Sequence, residues 1–515
     1  MLQDRLLPLA SCSVSGAQLF YVPGTMGHSS EILNAMRHVA SHSPRDPAMW
    51  RATASRAFTT SFTNQNTAAE IAHSKEAGAQ VETRDVTTMD NLLRAVRLRV
   101  HPARQTSFTM RSGVMWSESL RRSREGSPEP RDDDDGPSFE LTPRTMADSY
   151  SEECLHFHSQ PGLLEKYTNT YGGIRPGMLM EHLDSLAGAI AYKHMLGPVE
   201  RLTNEQDLPF YLVTASVDRL DVLADLSVVR DLRLSGQVIH VGRSSVEVAV
   251  RMEALNADGT EETVMLGRFC MVCRDSKTHK ARQVNPLVLE TQEDRELWHI
   301  GEACKNRRKA TANQSLAKVP PSSIEAEAMH QLYLQSTAQS ESVDLCMASE
   351  SRVPMGNTRL EKTLTMYPQE RNIHQKIFGG YLMRLAYELG YSNSMLFARG
   401  PLRFLSLDSI SFARAVPIGS VLRLKSYIVH TTSTKDFPVL IHVTVKASAV
   451  DVQTGKEQTT NDFRFTWCRE EGEPLTRTVV PTTYQEAMWW VEGKRALDLG
   501  GEICSLRAVK RASQL

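Results

Sequence analysis

Two stretches of the chain carry apolar residues at helical spacing behind a glycine. In the first, Leu179, Leu183, Leu186, Ala187 and Ile190 follow Gly177. In the second, Leu382, Leu385, Ala386 and Leu389 follow Gly379-Gly380. Recurrence every three or four residues predicts a largely apolar helix in each, the first running to about His194. Strict alternation comes next in both. Val246, Val248, Val250 and Met252 alternate with Glu247, Ala249, Arg251 and Glu253. Val439, Ile441, Val443 and Val445 alternate with Leu440, His442, Thr444 and Lys446. Period two over this length predicts half-buried antiparallel strands. Asp258-Gly259 and Thr454-Gly455 supply the turns that follow. The same 22-residue spacing separates Asp218 from His240 and Asp408 from His430. Shared order and shared spacing mark an internal repeat. Each copy is expected to be an α+β unit in which an antiparallel sheet wraps around one long helix.

The rest of the chain divides around these copies. Residues 1–66 hold only Asp4, Glu31 and Asp46 as acids, with Arg5, Arg37, Arg45, Arg51 and Arg56 among many Ser, Thr and Ala. That composition suits an organelle transit segment, or a merely disordered start. Residues 67–144 form an N-terminal extension. Its Ser-, Arg- and Pro-rich stretch, with the run Asp132 to Asp135, has too little apolar surface to offset ordering and is expected to be a solvated linker. The two repeats are expected at 145–280 and 356–480, with a helical connector at 281–355 and a terminal helix and tail at 481–515.

Composition narrows the function. Of 515 residues, 41% are hydrophobic and 23% charged, ordinary for a globular chain. A net charge of -1 gives no field that favours nucleic acid. No apolar stretch approaches the roughly 20 residues that span a bilayer. The eight cysteines are too scattered for a disulfide framework, so a reducing compartment is expected. Cys270 and Cys273 sit three apart in a strand-like run, on opposite faces, which argues against a shared zinc. No G-x-S-x-G, Walker or Rossmann signature is present. No metal or cofactor is expected.

Particular residues carry a family resemblance. Asn372-Ile373-His374-Gln375-Lys376-Ile377-Phe378-Gly379-Gly380 resembles the start of the helix in hotdog-fold acyl-CoA thioesterases. Phe412-Ala413-Arg414-Ala415-Val416-Pro417-Ile418-Gly419 resembles their strand turn. Gly172-Gly173-Ile174-Arg175 and Leu183-Asp184-Ser185-Leu186-Ala187-Gly188 resemble the first half of the mitochondrial acyl-CoA thioesterase 9 group. The resemblance covers about residues 145 to 490. It implies a tandem (double) hotdog fold, a mitochondrial matrix location, a trimer of double hotdogs, and hydrolysis of acyl-CoA to fatty acid and CoA. It also implies one composite site, with Asp184 as the carboxylate facing Asn372 of the other half.

Thioester hydrolysis needs a polarised carbonyl, an activated water and a grip on the CoA arm. Unpaired amides at a helix N-terminus suit the first task, and Gly379 and Gly380 would let a carbonyl approach them. Asn372 adds an amide side chain but no useful acid–base group. Aligning Gly177 with Gly380 sets Asp184 opposite Tyr387, with Glu388 one position on. The mirror site thus lacks the full set, although Glu388 could act there and Arg175 could hold a phosphate. His374 is a possible helper or a residue that orients the turn. Val241-Gly242-Arg243-Ser244-Ser245 is a candidate CoA-phosphate loop, since arginine, hydroxyl and backbone donors suit phosphate, or a plain hairpin turn. Two other functions stay open: a hydroxyacyl-thioester dehydratase using His374 and Asp184, and a non-catalytic acyl-CoA-binding scaffold.

Overall fold

A computed structural model describes residues 88–100, 110, 140–197, 208–224, 226–340, 351–408, 410–435 and 437–512. The transit-like segment 1–66 and the run Asp132–Asp135 lie outside the described residues.

The first half begins with helix α1 (88–99) and strand β1 (Ser151–Leu155). Helix α2 (Pro176–Leu196) is followed by β2 (Phe210–Val222), β3 (Asp231–Val241), β4 (Ser245–Leu255) and β5 (Glu261–Asp275). Helices α3 (Gln292–Asn313) and α4 (Ser323–Ser340) lead to the second half. There β6 (Leu360–Thr365) precedes helix α5 (Gly379–Ala398). Strands β7 (Arg403–Leu407), β8 (Ile410–Phe412), β9 (Val421–Thr432), β10 (Val439–Val450) and β11 (Glu457–Arg469) come next, and helix α6 (Tyr484–Ala512) closes the half.

All eleven strands join one sheet in the order β1-β3-β4-β5-β2-β7-β11-β10-β9-β6, with β8 bridging β11 and β2. Reading outward from the central β2–β7 seam, both halves follow the same path. At that seam Leu407 lies opposite Leu220 and Ile410 opposite Val217. Each half curls around its own helix: this is the double hotdog. Helix α2 is buried almost all round, with Leu179, Ala187, Ile190 and Tyr192 fully covered, as a wrapped helix requires. Asn285 ends it by donating to the free carbonyls of His194 and Met195 at 3.0 and 2.9 Å.

The strands differ from the half-buried expectation. In β4 the polar residues are covered too: Glu247, Arg251 and Glu253 are 2%, 1% and 0% exposed. The outer face is roofed by α1 and α3, whose Leu92, Leu93, Val96, Leu297 and Ile300 form a second core with Ile239, Ala249 and Leu266. The buried charges are paired. Arg308 of α3 reaches Asp218 at 2.6 Å and also binds Glu247, while Arg251 binds Glu253. An alternating pattern reports the side that meets the central helix, and it says nothing of a second layer outside.

That outer layer is itself repeated. Trp298 of α3 packs tilted against His240, and Trp490 of α6 against His430. Gly301 and Gly493, three residues further on, bring each helix against those same histidines. Small parallel pairs also close both halves: Arg144–Thr145 with Leu287–Val288, and Arg352–Pro354 with Thr478–Val480. The repeating unit therefore runs past its last long strand and includes a roofing helix.

Candidate active site

Helices α2 and α5 cross with their N-terminal halves in contact. The crossing is close because Gly380 has no side chain. A Cβ there would lie 2.8 Å from Glu181 Cα and 2.9 Å from the Glu181 carbonyl. This approach sets the first turn of α5 on the Asp184 carboxylate. The Gly380 amide donates to Asp184 Oδ2 at 2.7 Å, and Thr214 Oγ1 of β2 donates to Oδ1 at 2.8 Å. Asp184 is 2% exposed.

The Gly380 amide thus departs from the expected role. It is spent on the carboxylate and does not point at an open carbonyl site. The Gly379 amide, one residue earlier at the positive end of the helix dipole, has no protein acceptor among the described residues.

Asn372 stands in the turn that leads into α5. Arg371 bridges Ile377, Asn372 N–H donates to the Lys376 carbonyl at 2.7 Å, and Gln375 takes a left-handed φ of 55°. Asn372 Oδ1 accepts from the His374 and Lys376 amides at 2.9 and 3.1 Å. Its oxygen is committed to the turn. Its Nδ2, in a half-buried side chain, has no protein acceptor among the described residues and is the donor left for a substrate.

His374 holds this turn to the rest of the site. Its Nε2 lies 2.5 Å from the Tyr192 hydroxyl, which also accepts from the Leu212 amide at 3.0 Å. Burial pushes the imidazole down to about 4, so the ring is neutral and acts as acceptor near neutral pH. Its ring neighbours are Tyr192 and Tyr211. Such a ring is a poor base at neutral pH, and this favours the orienting role and weakens the dehydratase reading.

The mirror position shows what the comparison of motifs missed. Asn169 precedes Asn372 by 203 residues, as Gly177 precedes Gly380. It builds the same turn: Thr168 bridges Ile174, and Asn169 Oδ1 accepts from the Tyr171 and Gly173 amides at 2.9 and 3.0 Å. Here, however, the side-chain amide is used, donating to the Ile174 carbonyl at 3.3 Å. The 203-residue offset was the available signal. Opposite this turn, Tyr387 replaces Asp184 and packs edge-on to Phe404 at 5.1 Å, where the first half has the Asp184–Thr214 hydrogen bond. Glu388, considered as a fallback carboxylate, is paired with Arg175 at 2.5 Å. In this conformation Glu388 and Arg175 are occupied with each other, both half-exposed.

Gly242, Arg243 and Ser244 join β3 to β4, whose first residue is Ser245. Gly242 N–H donates to Ser245 O at 2.8 Å, and the Arg243 and Ser244 carbonyls accept from Val284 and Cys273 at 3.2 and 2.8 Å. The loop borders a cavity of about 350 Å³ together with Leu141, Val284 and Trp298. Arg243 is exposed, and Lys305 comes near Gly242 from α3. Among the described residues no group of three or more His, Cys, Asp or Glu could hold a metal. No described helix is long and apolar enough to cross a membrane.

No family model matches the chain. It is 36% identical over 357 residues to the acyl-coenzyme A thioesterase 9, mitochondrial, of Bos taurus, covering 69% of this chain and 78% of that protein. Its identity to the acyl-coenzyme A thioesterase 10, mitochondrial, of Mus musculus is 35% over 358 residues, with the same coverages. Among solved structures, a putative oleoyl thioesterase from Lactobacillus plantarum aligns over 63% of this chain and 96% of that one. Its identity is 8% and its TM-score 0.38, too low to bear on the site.

Proposed function

The chain belongs to the acyl-coenzyme A thioesterase 9 and 10 family and is a thioester hydrolase, and from that premise we propose that Asp184 is the general base of one composite site per chain. The observation that carries this reading is the contact between the Asp184 carboxylate of one half and the first turn of α5 in the other, at 2.7 Å.

In this reading the thioester carbonyl oxygen rests on Asn372 Nδ2 and the Gly379 amide. A water donates one proton to Asp184 while its oxygen attacks the carbonyl carbon. The resulting oxyanion is held by the same two donors, each worth a few kcal/mol in comparable sites (about 3 to 4). Collapse of this intermediate breaks the C–S bond. The proton on Asp184 passes to the departing CoA sulfur, leaving a free fatty acid and CoA. Gly380 and Thr214 serve by holding the carboxylate in place.

Arg243, which lines the 350 Å³ cavity, and Lys305, near Gly242, support a seat for the CoA phosphates, with Ser244 and Ser245 following in the chain. The names of the relatives support a mitochondrial location, and the basic, acid-poor residues 1–66 support import to the matrix. A trimer of double hotdogs is the proposed assembly. No metal or cofactor takes part in the proposed reaction.

Release of CoA from a series of acyl-CoAs tests the site. Asp184→Ala is expected to lower kcat by about 10²- to 10⁴-fold. Asn372→Ala is expected to cost about 10²- to 10³-fold. Glu388→Gln is expected to leave the rate within about twofold, since half-exposed ion pairs contribute little. Full activity in a folded Asp184→Ala protein would overturn the assignment.

A further inference from the structure

Met110 lies between α1 and β1 in the chain, yet it sits inside the site. It is 4% exposed. Its amide points to Ser185 Oγ at 3.4 Å, and its carbonyl accepts from the Ile373 amide at 3.3 Å. It therefore bridges the residue after Asp184 to the residue after Asn372. The side chain lies flat on α2 at Gly188. A Cβ on Gly188 would stand 2.9, 3.3 and 3.4 Å from Met110 Cγ, Cε and Sδ. Gly188 is one turn, about 5.4 Å of helix, beyond Asp184.

We propose that Met110, seated on Gly188, is the side chain that limits acyl-chain length in this thioesterase. The inference rests on the Asp184–Asn372 reading of the site. A thioester held there has two arms. The pantetheine arm carries amides that need hydrogen-bond partners, and the acyl arm carries none. Met110 belongs to the continuous apolar core that includes Ile373, Ile377, Leu186 and Ala187. The neighbouring Ser185 hydroxyl faces the Met110 amide. These surroundings suit the apolar arm. Methionine is unbranched and adaptable, so its removal leaves a slot shaped for methylene groups. Gly188 is the complementary half of the device, because any side chain there would push the thioether into the slot.

The test is the profile of kcat/KM from butyryl- to palmitoyl-CoA for the full chain. Asp184→Asn is assayed in parallel. Met110→Ala is expected to raise the long-to-short ratio about tenfold or more, the scale of one or two methylenes in an apolar pocket. Gly188→Ala is expected to lower it by a similar factor, and the double variant to return it toward wild type. Met110→Val, a smaller truncation that stays apolar, is expected to raise the ratio by a smaller factor and serves if Met110→Ala does not fold. Equal losses at every chain length in Met110→Ala and Gly188→Ala, with Asp184→Asn inactive, would overturn the inference while sparing the site. A uniform rise in KM with weaker inhibition by free CoA would also overturn it, by placing Met110 on the pantetheine side. An active Asp184→Asn protein would remove the reading on which it rests.

Discussion

In the proposed site, single side chains divide between those that would touch the reacting atoms and those that hold them still. Asp184 and Asn372 are assigned to the first group, whereas Thr214, Tyr192 and His374 belong to the second. His374 illustrates how burial decides a role. With its pKa pushed down to about 4, it remains neutral over the working range and accepts the Tyr192 hydroxyl. A His374→Gln variant is therefore expected to lose activity by a factor that is the same at about pH 6 and about pH 8. Steady-state rates at both values would check this. A loss that changed as pH fell through 6.5 would show a titrating histidine instead.

At the level of elements, the decisive feature is the close crossing of α2 and α5. Gly380 permits it, because its position has backbone of Glu181 within 2.9 Å of where a Cβ would stand. Backbone atoms cannot yield as a flexible side chain does. Gly380→Ala should push the helices apart, costing about 1 to 3 kcal/mol of stability. It should also lengthen the Gly380–Asp184 hydrogen bond and reduce kcat well over tenfold. Denaturant melts and rates on one preparation separate the two effects. The mirror crossing at Gly177 shows the alternative filling: Tyr387 Cδ1 stands 3.2 Å from the corresponding Cβ position. Two equivalent crossings have thus diverged, one into an acid with donors and the other into aromatic packing beside an Arg175–Glu388 pair.

Across the whole molecule, five described histidines have their pKa lowered by burial: His194, His240, His374, His430 and His442. Burial holds His240, His374 and His430 down to about 4, and holds His442 well below the ordinary value of 6.5. The unfolded chain takes up protons near 6.5, and the folded chain does not until about 4. Protons therefore favour unfolding in that window, and stability is expected to fall as pH drops from about 6.5 toward 4. Thermal melts across the window would show a falling Tm. Replacing His442 by Gln would flatten the slope, although it would also cost the hydrogen bond to Thr466 at 2.9 Å. A Tm that rose on acidification would contradict this account.

Much of this architecture was legible in the chain itself. Apolar residues at helical spacing, strict alternation and the matched 22-residue spacing were enough to show two copies of one α+β unit. Asp184 stood out as an acid in an apolar helix, and Asn372 was marked by the family resemblance of its motif. These are local patterns, and local patterns follow from backbone geometry. What the pattern left hidden depends on distance in space. The Gly380 amide was readable as a helix-end donor, but only the crossing of two helices 196 residues apart turned it toward Asp184. Asn169 and Asn372 look alike in their turns, and only the folded turn shows one amide spent on Ile174 and the other left over. Met110 carries no motif at all. Its place between α2 and the Asn372 turn is set by long-range packing, which periodicity along the chain does not encode.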